Sequence, residues 1–352
     1  MLATRAQPRL CSARQISRMA KLVTAHPAPI MLASRPFFGA AYDLSHQTRN
    51  FAQFAIVKDK VPKKDLENVR VTKPIFPGPT YTDKELLEVE VGHREPETWA
   101  DSLAWRLVRG ARKMVDFSTG VTNERPLTKT QYNARILFLE SIAAVPGMVA
   151  AVHRHLRSLR RGARDQGWIK TLLEEATNER MHLLTWMNLA EPGWLMRLIF
   201  IGAQGVFFNI CFIARWISPT FFHRFVGYIE EEAIHTYSRL EREIREGQIE
   251  GWSDPKFPIP DIAVEYWNIP PERRTMLWLT RYIRADEAGH RGVNHTLANL
   301  DQQTDPNPFE PSAREENPKI PNAALRPQGY ERSEVIEGIE SRTKDTKYAS
   351  SK

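Results

Sequence analysis

Residues 284–295 read RADEAGHRGVNH and carry two potential metal ligands, Glu287 and His290, three positions apart. Each residue of a helix turns the chain by about 100°, so both side chains leave roughly the same face, one turn apart. The pair fits an exposed, salt-bridged helix surface, and it fits one half of a metal site equally well. Partners elsewhere in the chain distinguish these two interpretations.

Three further segments supply partners of the same chemistry. NERMH places Glu179 and His182 at the same spacing, LFLES places Glu140 among aliphatic residues, and YIEEEAIH offers the glutamate triplet 230–232. On four separate helices the order is therefore Glu, Glu-x-x-His, Glu, Glu-x-x-His, which is typical of ferritin-like di-iron carboxylate bundles. Carboxylates bridge two irons and balance their charge, and imidazole suits iron.

Other Glu-x-x-His matches test how specific this pattern is. Chance alone supplies roughly one match in a chain of this composition. Glu90/His93 lies in a stretch with Gly and Pro and is interpreted as accidental, whereas Glu232/His235 lies on the fifth predicted helix and stays a competing pair. The order distinguishes the set, because a lone Glu precedes each pair. A mid-helix Glu beside aliphatic residues, such as Glu140, is costly unless it is paired or binds a metal. A di-iron site is therefore favoured over a salt-bridged core.

Composition limits the partners and the kind of metal site. The 352 residues carry a formal charge of +7, which indicates an anionic partner, either nucleic acid or membrane. Nine Trp and sixteen Phe favour a membrane contact or a protein core over a nucleic-acid-binding tail. Cys11 and Cys211 lie far apart in sequence, which excludes a disulfide framework and a cysteine-based zinc site. Any metal must be held by His and carboxylate side chains.

Periodicity and composition together divide the chain into four parts. Six helical segments between residues 97 and 301 predict an all-α, ferritin-like four-helix bundle with a buried di-iron site and additional amphipathic helices, spanning 96–300. Residues 1–42 are rich in Ser, Ala and Arg, with no acid before Asp43, and this favours a mitochondrial transit peptide over a disordered basic arm. Residues 43–95 are interpreted as an extended arm, and the polar, Pro-rich residues 301–352 as a disordered tail.

The uncharged residues 198–214 are the best candidate for a membrane segment. They are at the short limit for a span and are interrupted by Gln204 and Asn209. A single span would also place Glu140 and Glu230 on opposite sides of the bilayer and divide the metal site. We therefore expect residues 141–152 and 198–214 to lie in one leaflet, with the basic run HRHLRSLRR at the lipid phosphates.

Four blocks together resemble the alternative oxidases, the di-iron quinol oxidases of mitochondria: LFLESIAAVPGM, NERMHLLTW, EEEAIHTY and RADEAGHRGVNH. The resemblance covers about residues 96–300, and the tail and the insertion EGWSDPKFPIPD look like fungal members. It implies that Glu230 is the ligand of the triplet and that Tyr237, seven residues later on the same face, is a redox tyrosine. The implied iron ligands are Glu140, Glu179, His182, Glu230, Glu287 and His290.

The resemblance also implies the residues around the irons. Asn178 and Asp286, which precede the Glu of each pair, match polar residues that hold the histidines. A basic surface run stays an alternative for Arg112, and a core position stays an alternative for Tyr237. The quinol pocket of the family maps onto Arg112, Asp116, Arg135, Leu139, Glu232, Ala233 and Thr236.

The function implied is that of a terminal oxidase that oxidises ubiquinol and reduces O2 to water at two non-haem iron ions without pumping protons. Monotopic attachment to the matrix face of the mitochondrial inner membrane is implied as well, with no nucleic-acid partner and with a homodimer left open. The regulatory cysteine of plant members has no counterpart between Cys11 and Cys211. Two rivals stay open: a di-iron quinone or acyl-chain monooxygenase, and a membrane-bound iron-storing or structural helical protein.

Overall fold

The structure is a computed structural model that describes residues 57–59, 74–121, 125–310 and 321–349. The predicted transit peptide, residues 1–42, lies outside the described residues. The described elements, in chain order, are β1 (Val57–Asp59), α1 (Asp83–Leu87), α2 (Trp99–Thr119), α3 (Lys129–Arg161), α4 (Trp168–Leu189), β2 (Ala190–Pro192), α5 (Trp194–Ile217), α6 (Pro219–Arg245), α7 (Asp261–Tyr266), a 3-10 turn (Pro271–Arg273), α8 (Met276–Asn299) and α9 (Arg332–Ala349).

Local sequence signals begin and end the long helices. Thr98 and Thr128 each accept a hydrogen bond from the backbone N–H three residues later, and the side chain of that later residue accepts one from the threonine N–H. These capping boxes satisfy N–H groups that have no partner inside α2 and α3. Gly120 and Gly162 end the same helices at φ values of 65° and 58°, a conformation that favours glycine.

α3, α4, α6 and α8 form a four-helix bundle. α3 packs along α4, α6 packs along α8, and α4 contacts α8. Glycine at position 147 allows the close approach of α3 and α4, since a Cβ there would lie 2.7 Å from the carbonyl oxygen of Leu172. Tyr132, Trp186 and Ile283 are buried in the core between the helices. The predicted all-α helical bundle is confirmed.

The described part of the N-terminal segment runs against this bundle with little regular structure. β1 pairs with β2 in antiparallel register, with Val57 opposite Pro192. α1 is five residues long, and its capping residue is Thr82. Leu86 and Val89 are buried in the main core, so the segment is held by apolar packing.

α2 and α5 lie on the outside of the bundle, where α2 packs on α6 and α5 packs on α3. α3 and α5 are both long and apolar enough to cross a membrane by length and composition alone. In the most apolar window of α3 50% of the residues are buried, against 17% in that of α5. α3 is therefore a core helix, whereas α5 leaves most of its apolar side chains exposed among the described residues.

We expect the apolar face of residues 141–152 to meet lipid, and the structure leaves only Met148 and Val152 of this segment exposed. Val149 and Ala150 are buried against α4, and most of the segment is covered by protein. Arg154, expected at the lipid phosphates, is buried as well. Its guanidinium lies 4.1 Å from the ring centre of Trp168, and its Nε donates to Asp165 at 3.0 Å. Hydropathy identifies an apolar segment but does not tell whether protein or lipid covers it.

The described part of the C-terminal tail packs on α8, although the sequence predicted a disordered tail. Ala323, Ala324 and Val335 are buried. Position 292 of α8 has to be glycine for this contact, because a Cβ there would lie 2.1 Å from the carbonyl oxygen of Ala323. Polar composition argued for disorder, and a few small apolar residues nevertheless dock this segment.

Candidate metal centre

Six buried side chains converge inside the bundle from α3, α4, α6 and α8. They form two groups, and within each group the potential ligand atoms lie within 4.8 Å of one another. The groups are Glu140, Glu179, His182 and Glu287, and Glu179, Glu230, Glu287 and His290. The structure thus brings together all six side chains that the sequence analysis named as iron ligands. Two cations bound here would share Glu179 and Glu287.

Both histidines turn Nδ1 toward the carboxylates. His182 Nδ1 lies 3.2 Å from Glu287 Oε1 and 3.3 Å from Glu179 Oε2, and His290 Nδ1 lies 2.6 Å from Glu179 Oε1. Even so, neither Nδ1 atom and neither oxygen of Glu179 makes a hydrogen bond within the described part of the chain. Buried polar atoms without a partner are rare in native proteins. Nitrogen and oxygen atoms that converge without hydrogen bonds suit metal coordination.

Burial and mutual repulsion control the charge of this cluster. The pKa of Glu140 is raised to about 8, chiefly by burial and against the lowering effect of His182. Burial and neighbouring carboxylates raise the pKa of Glu230 well above its ordinary value. For Glu179 burial acts in the same direction, but His182 and His290 outweigh it and lower the pKa. Burial therefore favours the protonated forms of Glu140 and Glu230, and bound cations would favour their ionised forms.

Asp286 orients one of the two histidines from behind. Its Oδ2 lies 2.8 Å from His182 Nε2 and accepts hydrogen bonds from Asn178 Nδ2 at 3.0 Å and Trp267 Nε1 at 2.8 Å. Tyr81 donates its hydroxyl to Oδ1. Because a carboxylate only accepts, a His182 ring that is neutral carries its proton on Nε2 and leaves the lone pair of Nδ1 available to a metal. Asn178 therefore reaches the histidine through Asp286.

Two of these contacts were missed by sequence reasoning. Tyr81 lies in the N-terminal segment, 205 residues from Asp286. Trp267 follows α7, a six-residue helix that no periodic pattern predicts. Neither residue belongs to a motif, and their sequence separation from His182 gives no signal of proximity.

Tyr237 lies next to the cluster, on the same helix as Glu230. Its hydroxyl donates to Glu140 and accepts a hydrogen bond from Trp186 Nε1 at 3.0 Å. Burial, and then the charge of Glu140, raise the pKa of Tyr237 well above its ordinary value, so the phenol stays protonated. The tyrosine is buried, yet its hydroxyl contacts a residue of the metal cluster, which a purely apolar core position does not require.

The three adjacent glutamates of α6 point in three directions. Glu230 joins the metal cluster. Glu231 Oε2 lies 2.6 Å from His93 Nδ1, and its Oε1 lies 3.0 Å from His295 Nε2. Glu232 pairs with the arginines of α2, among them Arg112 at 2.7 Å. Neither of the two additional Glu-x-x-His matches therefore belongs to the candidate metal site, and His93 instead forms a hydrogen bond with Glu231.

Most residues of the expected quinol pocket meet where α2, α3 and α6 adjoin. Arg112 Nε lies 3.0 Å from Asp116 Oδ2, and Arg112 Nη1 contacts Thr236 Oγ1 at 3.5 Å. Arg135 Nη1 lies 2.6 Å from Asp116 Oδ1. Arg112 thus contacts three side chains, Asp116, Glu232 and Thr236, unlike a residue of a solvated basic run. Leu139 and Ala233, the two apolar members of the set, are partly buried on α3 and α6.

Comparison with known proteins gives consistent matches. The family model described as alternative oxidase matches residues 81–299. Three fungal proteins named "Alternative oxidase, mitochondrial" match along most of their length. The protein of Pyricularia oryzae is 50% identical, covering 96% of this chain and 93% of its own. That of Neurospora crassa is 50% identical, covering 92% and 96%. That of Blumeria graminis is 43% identical, covering 96% and 100%.

Proposed function

The chain belongs to the alternative oxidase family, and on that premise we propose that it oxidises ubiquinol and reduces O2 to water at a di-iron centre. Two quinols supply the four electrons and four protons that convert one O2 into two waters. The observation that carries the proposal is the pair of buried ligand groups with shared carboxylates. A single-metal site or a structural salt-bridge cluster needs no such duplication.

The donor set fits iron. Among the described residues it offers four carboxylates and two imidazoles and no thiolate, and several of these atoms lack any hydrogen-bond partner. The residues that would hold the metal are Glu140, Glu179, His182, Glu230, Glu287 and His290. Bound iron supplies the electron-transfer chemistry that couples quinol oxidation to O2 reduction.

The protein's own groups provide orientation and a proton at a defined atom. Asp286 keeps the His182 ring in one tautomer through the 2.8 Å contact. Tyr237 holds its phenolic proton against Glu140, beside the cluster and away from solvent. We assign Tyr237 as the residue that passes on this proton and one electron during O2 reduction and regains both from quinol, so that the total stays at four electrons and four protons. Trp186, which donates to the same hydroxyl oxygen, positions the phenol.

We place the quinol headgroup at Arg112 and its neighbours. Arginines 112 and 135 supply donors for the quinol oxygens, and Asp116 and Glu232 supply acceptors for its hydroxyl protons. Leu139 and Ala233 offer apolar contact for the ring. α2 forms one wall of this pocket, and its exposed face carries Trp99, Leu103, Leu107, Met114 and Phe117. An apolar quinol tail could reach the pocket along such a surface.

We further propose that the protein lies on the matrix face of the mitochondrial inner membrane without crossing it. The exposed apolar side chains of α5 would enter one leaflet together with those of α2. Three of the six ligands precede α5 in sequence and three follow it, and all six meet in one cluster. A crossing by α5 alone would separate them. The fungal relatives named above are mitochondrial by name.

Oxygen uptake with ubiquinol in the presence of cyanide tests the proposed activity. Glu179→Ala and His290→Ala should abolish uptake and iron content while the protein stays folded. Glu174→Ala is the matched control, because Glu174 lies on the same helix but pairs with Lys170 at the surface. Turnover by either ligand variant would refute the site. With labelled O2, label recovered in an organic product instead of water would identify a monooxygenase.

A further inference from the structure

We propose that the end of α5 carries a binding site for the phosphate of an anionic membrane phospholipid, built around the buried side chain of Arg215. The proposal extends the membrane attachment proposed above. It concerns a specific site, in addition to the general apolar contact of α2 and α5.

Arg215 is the only buried arginine within the described ranges that makes no hydrogen bond or ion pair. It is 5% exposed, and its Nε has no partner. The other buried arginines all donate to carboxylate or carbonyl oxygens. These are Arg94, Arg135, Arg154, Arg224, Arg284 and Arg291. A buried guanidinium is costly unless an anion pairs with it. The described part of the chain supplies no anion to Arg215, so this guanidinium is free to bind one from elsewhere.

The neighbours of Arg215 add positive charge and one more donor. Arg154 and Arg157 lower its pKa to about 9 after the larger effect of burial, and no carboxylate offsets them. Arg157 donates to the carbonyl oxygen of Gln302 at 2.8 Å, so its charge is not neutralised by that contact. The ring of His153 lies 4.4 Å from that of Phe212 on α5, and its buried Nε2 has no partner among the described residues. A guanidinium and an imidazole N–H are suitable donors to phosphate oxygens.

The surroundings favour a phosphate that carries acyl chains. Phe212, Ile213, Trp216 and Ile217, which flank Arg215 on α5, are exposed apolar side chains, with Trp216 and Ile217 at 75% and 76% exposure. Tryptophan beside a cationic group is typical of the interface between lipid tails and headgroups. A soluble phosphate would leave this apolar surface uncovered, whereas a phospholipid occupies both parts.

Thermal unfolding of the full-length protein in neutral detergent micelles tests the site. Added phosphatidylglycerol should raise the melting temperature of the wild type. In Arg215→Met the lipid concentration for half of the effect should rise roughly ten-fold or more, as expected when a charge-assisted hydrogen bond is lost. Arg215→Lys keeps the charge without the planar fork and should respond to an intermediate extent. Glycerol phosphate and inorganic phosphate should have little effect.

Arg160→Gln is the control. Like Arg215→Met it removes one positive charge, but from an exposed position near the C-terminal end of α3, the helix that carries Arg154 and Arg157. Equal loss of the lipid response in Arg160→Gln and Arg215→Met would mean unspecific attraction and would overturn the proposal. So would a wild-type response to soluble phosphate as large as to lipid. If Arg215→Met melts at a lower temperature than the wild type without lipid, and its response to lipid is unchanged, the role of Arg215 is structural and the proposal is overturned.

Membrane binding separates this proposal from the proposed attachment. Arg215→Met should still sediment with mitochondrial membranes, because the apolar faces remain. If the wild type does not sediment, the attachment itself fails. If the wild type sediments and the lipid response of Arg215→Met is unchanged, only the phosphate site is refuted.

Discussion

Replacing Tyr81 by phenylalanine removes one hydroxyl that the N-terminal segment places on Asp286. The aromatic ring, and its packing 6.4 Å from the ring of Tyr282, are retained. Asp286 keeps three donors, from His182, Asn178 and Trp267. The change therefore isolates one hydrogen bond behind His182, a proposed metal ligand, without opening a cavity.

The expected magnitude follows from the charge of the acceptor. A hydrogen bond to a charged group contributes about 1.5–3 kcal/mol, and the three remaining donors on Asp286 place this one at the lower end. About 1.4 kcal/mol corresponds to a factor of ten. Loss of a group behind a metal ligand weakens metal binding by roughly 10–100-fold. We therefore expect Tyr81→Phe to bind iron roughly ten-fold more weakly, because His182 is less firmly oriented.

Anaerobic titration of the metal-free protein with ferrous iron against a competing chelator measures this effect without relying on turnover. Tyr282→Phe is the matched control, since it removes a hydroxyl from the adjacent ring and leaves Asp286 untouched. Wild-type iron affinity in Tyr81→Phe would refute the reasoning. An equal loss of affinity in both variants would show that the aromatic pair acts through packing alone.

Glu230→Ala should lose iron, whereas Glu231→Ala should keep it. Glu231→Ala should lower the free energy of unfolding by about 3 kcal/mol, because the buried network with His93 and His295 loses its only acid. Metal analysis and denaturant unfolding measure the two effects, and iron loss from Glu231→Ala alone would reverse the assignment. Burial lowers the pKa of His295 from 6.5 to about 4, against the raising effect of Glu231. Its contribution to stability should be complete above pH 6.5 and should fall by about 1.4 kcal/mol per pH unit towards pH 4. Denaturant unfolding across this range should show a smaller slope in His295→Gln, and an identical slope would contradict the argument. High salt should leave the protein on mitochondrial membranes, because apolar contact is not screened, and detergent should release it; release by salt alone would exclude apolar insertion.

The six candidate ligands are recognisable in the sequence because their signal is local. In each Glu-x-x-His pair, helical geometry alone puts both side chains on one face. The order of the four segments then selects Glu140 and the 230–232 triplet as partners. Within the triplet, Glu230 follows from the family resemblance and from its spacing to Tyr237, and the structure places its side chain in the cluster.

The contacts behind the ligands depend on the packing of distant segments. Tyr81 reaches Asp286 across 205 residues, and Glu231 meets His93 across 138. No periodicity encodes such encounters, because they depend on how a loop crosses the assembled bundle. Composition was misleading for the same reason in the tail, where a few apolar residues are buried and Ala323 lies closely against Gly292.

Helix type, helix order and the face that carries each ligand followed from residue identity and spacing, since a helix closes its hydrogen bonds within one segment. Apolar residues, by contrast, carry no label for what will cover them. α3 and α5 are similarly hydrophobic, yet the bundle buries the first and leaves the second exposed. Likewise, only the packed structure separates Arg154, which meets Asp165, from Arg215, which meets no acid among the described residues. Burial and charge pairing are properties of an assembled surface, and they arise when separate segments come into contact.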